Sequence, residues 1–169
     1  MATRVDALND FCAIVTEPID LGSLAEKVRT GASGAVALFA GVVRDHNRGA
    51  RVDRLEYEAY APMAEEEMRA IIGELRRNWA LDGVAIVHRT GRLEIGETSV
   101  AIAISSAHRR EALEACACAI DRVKDTVPIW KKEHGEAGDD WIVGDDSARA
   151  GAATILPGAN RSARRRDDA

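Results

Sequence analysis

Large aromatic rings are scarce in this sequence, only 4% of its 169 residues, while alanine alone supplies 30. The core must therefore be filled by Val, Ile, Leu and Ala, and few rings are left to stack on nucleic-acid bases. A formal net charge of −5 also opposes the broad basic field that nucleic-acid binding needs, so any anionic ligand must be small and held locally. Cysteine is limited to Cys12, Cys116 and Cys118. Three is an odd number for a disulfide framework, and no apolar targeting segment follows Met1, so the expected location is the cytoplasm. Cys116 and Cys118 are two apart in a helical pattern and point to different sides, which suits small core residues better than a metal pair. No apolar run approaches the length of a bilayer span, and no fixed-period repeat is visible. HExxH, CxxC, glycine-rich phosphate-loop and GxSxG motifs are all missing, so neither a metal nor a cofactor is expected.

What remains is an ordered series of short elements. Phe11 to Val15 predicts a strand, and Asp20 or Ser23 caps a helix that ends near Gly31. The run 34–43, GAVALFAGVV, is apolar on both alternating faces, as in a strand buried on two sides, and leads into the polar loop RDHNRGA. Residues 52–60 alternate imperfectly as a half-exposed strand. Pro62 opens an amphipathic helix over 62–79, with Met63, Met68, Ile71, Ile72, Leu75 and Trp79 on its apolar stripe. Three short strands follow at 84–88, 92–95 and 99–105. A second long helix is predicted from about Ala107 to Lys124, with Leu113, Cys116, Ala117, Ile120 and Val123 facing the core and Pro128 forcing its end. Ile129 and Trp130 resume extended chain. The interleaving of helices and strands indicates the α+β class with two long helices. Residues 1–143 are expected to form one domain, and 144–169, rich in Gly, Ala and Arg, a mobile tail.

The choice between the two basic residues is informative. Arginine occurs 19 times and lysine four, yet Lys124, Lys131 and Lys132 fall within nine positions. Arginine keeps its proton, whereas an ammonium can be moved towards neutrality and then carry a proton or attack a carbonyl. Retained lysines therefore point to chemistry; the competing reading is a helix C-terminus complemented by Lys124 and a solvated strand edge. His108, Arg109 and Arg110 open the second long helix, where the dipole gives cations no advantage. A bound phosphate or carboxylate would justify them, although solvation or pairing with acids would also do so. Arg44, in the polar loop, is by itself an ordinary solvated arginine. Fifteen helical residues separate Arg109 from Lys124, about 22 Å at 1.5 Å per residue, so one small ligand cannot touch both. If both clusters serve one pocket, a two-fold dimer must bring the helix start of one subunit to the helix end of the other.

In order along the chain stand GAVALFAGVVRDHNRG, LEYEAY, VAIVHRTGRLEIGE, SSAHR and DRVKDTVPIWKKE. Across residues 10–143 these blocks resemble the large, catalytic subunit family of molybdopterin synthase. The resemblance implies an α+β fold of the α/β-hammerhead type and a sulfurtransferase of molybdenum cofactor biosynthesis. Such an enzyme takes sulfur from the C-terminal Gly-Gly thiocarboxylate of a small ubiquitin-like subunit and builds the dithiolene on cyclic pyranopterin monophosphate. It also implies a homodimer at the centre of a heterotetramer, without nucleic acid or membrane. By the same resemblance Lys124 and Lys131 are the catalytic lysines. Val42, Val43, Arg44, His108, Arg109, Lys132 and Glu133 join them in binding substrate. The sequence departs from the pattern beyond Trp141, where no basic residue aligns and Arg149 is the nearest substitute. A non-catalytic module docking a ubiquitin-like tail or an anionic metabolite would use the same cations without turnover; lysines at both 124 and 131 favour the enzyme.

Overall fold

The computed structural model describes residues 3–5, 9–136, 138 and 140–143. The expected tail, with Arg149 and Arg164 to Arg166, lies outside the described residues. The elements run β1 (Thr3–Val5), β2 (Asp10–Val15), α1 (Leu21–Val28), β3 (Ala35–Val42), β4 (His46–Asn47), β5 (Ala50–Ala59) and α2 (Ala61–Asn78). They continue with β6 (Gly83–Arg89), β7 (Gly91–Glu94), β8 (Thr98–Ser106), α3 (Arg109–Thr126), β9 (Ile129–Gly135) and β10 (Asp140–Val143). This is the α+β class expected from the interleaving.

The first sheet has the order β1-β2-β6-β8-β3, with β2 parallel to β6 and the other pairs antiparallel. Its central pair is sorted by residue size. Val84 and Ile86 lie opposite Ile104 and Ile102, whereas Ala85 and Val87 lie opposite Ala103 and Ala101. The larger residues pack with Met68, Ile72 and Leu75 of α2 and with Ala115 and Ala119 of α3. The alanine face receives Leu24 and Val28 of α1. Both faces of β6 and β8 are thus dry, which is why these strands read as nearly continuous apolar runs. Arg76, near the end of α2, ties the layers together. Its Nε donates to Asp10 at 2.6 Å and its Nη1 to the Leu81 carbonyl at 2.7 Å, while Asp10 also accepts from the Val84 amide at 3.0 Å.

The second sheet has the order β10-β9-β5-β4, and β7 also pairs with β5. Val43, Val52, Leu55 and Leu93 form its small core. Val52 and Leu55 are three residues apart, so strict alternation would place them on opposite faces. A register shift between Val52 and Arg54 rephases the strand and explains its imperfect alternation. The polar loop after β3 is a hairpin: Asn47 pairs with Ala50 across Arg48 and Gly49, which have φ of 49° and 83°. Two successive positive φ values give the primed turn whose twist matches a β-hairpin.

Three expectations need correction. The strand β3 is not buried on two sides, because it is an edge strand and α1, only eight residues long, covers the sheet nearer its centre. Val36, Leu38 and Val42 are 38%, 45% and 49% exposed. The buried stripe of α3 is Ala112, Ala115, Cys116, Ala119 and Val123, so Leu113 and Ala117 face outward. Met63 is likewise exposed, at the first turn of α2 and off the stripe. Helix α3 ends as expected, with Val127 extended before Pro128.

Candidate functional site

A cavity of about 340 Å³ opens where the end of β3, the β4–β5 hairpin, the end of α3 and the start of β9 converge. Its wall includes Val42, Arg44, Lys124, Lys131 and Glu133, five of the residues expected from sequence. Arg44 arrives on the segment entering the hairpin, Lys124 on the last turn of α3 and Lys131 on β9. Lys131 and Glu133 are two apart on one strand face. The Lys131 ammonium lies 3.1 Å from a Glu133 carboxylate oxygen, and Asn47 Nδ2 donates to both oxygens of that carboxylate at 2.9 Å. One face of β9 is thereby pinned to the hairpin that carries Arg44. Three cations against one engaged carboxylate leave the cavity electropositive, suited to a compact anion.

Lys132 points the other way, as alternation requires, and its ammonium sits 5.9 Å above the Trp141 ring. Val43 is buried in the small core of the second sheet. Its backbone exchanges hydrogen bonds with Glu97 and Gly96, so it supports the wall without lining it. His108, the N-cap of α3, and Arg109 are exposed at the far end of that helix and do not reach the cavity of their own chain. About 22 Å of helix, at 1.5 Å per residue, separates Arg109 from Lys124.

The sequence reading missed Asn47, Tyr57 and His88, all of which line the cavity. His88 is 6% exposed and its pKa is pushed down to about 4 by burial. Its Nδ1 lies 2.9 Å from the Arg89 carbonyl. A carbonyl only accepts, so Nδ1 carries the proton. Tyr57 meets the imidazole edge to face, with ring centroids 5.2 Å apart. In the sequence His88 ends an apolar strand and looks like a core residue; the signal present in retrospect was an ionisable group in an otherwise apolar run. Burial also raises the thiol pKa of Cys116, to about 11, and that of Cys118. Both are therefore poor nucleophiles, and no cluster of metal-ligating residues occurs among the described residues.

An α+β scaffold whose two sheets meet around a small cationic cavity, with lysines supplied by a helix end and a strand, defines a domain for binding and working on a compact anion. The chain belongs to the MoaE protein family, whose model matches residues 14–126. The molybdopterin synthase catalytic subunit of Bacillus subtilis is 46% identical over 129 residues, covering 76% of this chain and 82% of that protein. The human protein of the same name is 42% identical over 132 residues, covering 78% and 70%. Among solved structures, molybdopterin synthase from Staphylococcus aureus matches with a TM-score of 0.74 at 44% identity, covering 77% of this chain and 95% of that one. A complex of subunits 1 and 2 of the molybdopterin-converting factor from Helicobacter pylori matches with a TM-score of 0.64 at 19% identity, covering 86% and 92%, which shows a shared fold.

Proposed function

We propose that this chain is the catalytic subunit of a molybdopterin synthase. It would transfer sulfur from the C-terminal thiocarboxylate of a small ubiquitin-like partner to cyclic pyranopterin monophosphate, in the cytoplasm. The observation that carries the reading is the convergence of Arg44, Lys124 and Lys131 on one cavity in a member of this family. Arg44 and Lys131 hold the phosphate and polar edge of the substrate, and the Asn47–Glu133 link fixes the direction of the Lys131 ammonium. The thiocarboxylate sulfur forms a C–S bond at a substrate carbon while a C–O bond there breaks and its oxygen leaves protonated, and a second charged tail repeats the step at the neighbouring carbon. Water then cleaves the resulting acyl link through a tetrahedral oxyanion, returning the partner's tail as a carboxylate and leaving sulfur on the pterin. Lys124, exposed on the last turn of α3, stabilises that oxyanion in this reading and exchanges a proton with it.

The same reading makes the active assembly a dimer. The Gly34 amide, just before β3, donates to the Ser106 carbonyl, so the start of β3 lies beside His108 and Arg109, whereas its end leads to Arg44. A two-fold axis that sets two β3 strands antiparallel brings the partner's helix start to this chain's cavity. It also covers the apolar face of Val36, Leu38 and Val42. His108 and Arg109 would then complete the site across the interface.

Mixing the protein with a thiocarboxylated small subunit and cyclic pyranopterin monophosphate, and following pterin products by mass spectrometry, tests the reading. Dithiolene product should form with the wild type and fall by a factor of about 100 or more in Lys124→Ala, the scale on which oxyanion-stabilising groups act. If the small subunit binds and no pterin product forms, the chain is a docking module and not the enzyme.

A further inference from the structure

The cavity is rich in donors. Arg44, Lys124 and Lys131 can only donate, and the Ser99 hydroxyl donates to the Gly41 carbonyl at 3.2 Å. The acceptors are mostly engaged or remote: Glu133 accepts from Asn47 and pairs with Lys131, and His46 stands exposed at the rim beside Asp45. His88 is different. Its Nδ1–H is committed to the Arg89 carbonyl and its ring is held edge to face by Tyr57. Its Nε2 lone pair has no hydrogen-bond partner among the described residues, yet it is absent from the atoms sealed inside the protein. Burial opposes a charge on the ring, so Nε2 remains an acceptor that faces the cavity. Side chains packed this tightly at a pocket wall set ligand orientation.

We propose that His88 Nε2 accepts a hydrogen bond from a ring N–H of the pterin, fixing the heterocycle's edge at the inner wall while the cations hold its phosphate. This rests on the functional reading above. A pterin edge is rich in N–H groups, which the donor-only cations cannot recognise; a neutral imidazole of fixed tautomer can. His88 thus reads the heterocycle, and Arg44, Lys124 and Lys131 read its charge.

The test uses the complex with the thiocarboxylated small subunit. His88→Phe keeps a ring against Tyr57 and removes the acceptor. His88→Gln places an amide oxygen near the position of Nε2. In His88→Phe, KM for the pterin should rise about tenfold, the worth of one buried hydrogen bond, with kcat changing far less, and His88→Gln should recover most of the loss. A folded His88→Phe whose KM stays within about twofold of wild type overturns the inference, since a lost hydrogen bond is worth more than that. Should His88→Phe fail to fold, the wild type decides. With ¹⁵N-labelled histidine, the Nε2 resonance of His88 should move upfield when pterin is added, and an unmoved resonance with pterin bound overturns the inference. A wild type that binds no pterin at all overturns the functional reading and this inference together.

Discussion

His88 shows how burial changes what a residue type can do. Its pKa is lowered from the ordinary 6.5 to about 4, so between these values the unfolded chain binds a proton that the folded one refuses. The contribution to stability is complete above about pH 6.5 and declines as pH falls towards 4, by on the order of 3 kcal/mol in all. Urea unfolding of wild type and His88→Gln across this range should show the wild type losing more stability on acidification. Parallel curves would contradict the assignment. Lys124 and Lys131 were legible in the sequence because lysine is rare here, whereas Arg44 stood out only through the family motif around it. Asn47 was not, because a hydrogen bond spanning 86 residues, from Asn47 to Glu133, has no local signature, and for His88 the sequence showed an ionisable group in an apolar run but not its tautomer.

At the scale of elements, hydrophobic periodicity located the three helices and the longer strands but not always the phase. In α3 the chain carries apolar residues on more than one face, and alanine packs closer to a sheet than leucine does. The stripe of Ala112, Ala115 and Ala119 therefore lies inward and Leu113 outward. Ala115→Leu should destabilise the fold by about 1–3 kcal/mol through overpacking, whereas Leu113→Ala should change it by less than about 0.5 kcal/mol. Thermal unfolding of the two variants distinguishes this phase from the one expected from sequence. The short strands β1, β4 and β10 were missed for a related reason: each is held by its pairing partner and carries too few residues to show a period of its own. In β5 the irregular alternation was visible, but only the register shift at Val52 and Arg54 explains it.

At the scale of the whole molecule, the two ends of α3 serve different places. Lys124 reaches the cavity of its own chain and Arg109 does not. If the site is shared between subunits, Lys124→Ala and Arg109→Ala proteins should each be defective alone. Mixed after dissociation and reassembly, they should regain about a quarter of wild-type activity, because half of randomly formed dimers contain one intact site of two. No recovery in mixtures shown to contain mixed dimers would place both residues in one subunit's site.

The sequence by itself determined the α+β class, the long helices, the end of α3 before Pro128 and the clustering of rare lysines, since these follow from local periodicity, backbone restriction and side-chain type. Only the tertiary structure decided which cations meet. Convergence depends on strand register and on a hairpin pinned by Asn47 to Glu133, and a one-residue slip in either would turn Lys131 away from the cavity as Lys132 is turned now.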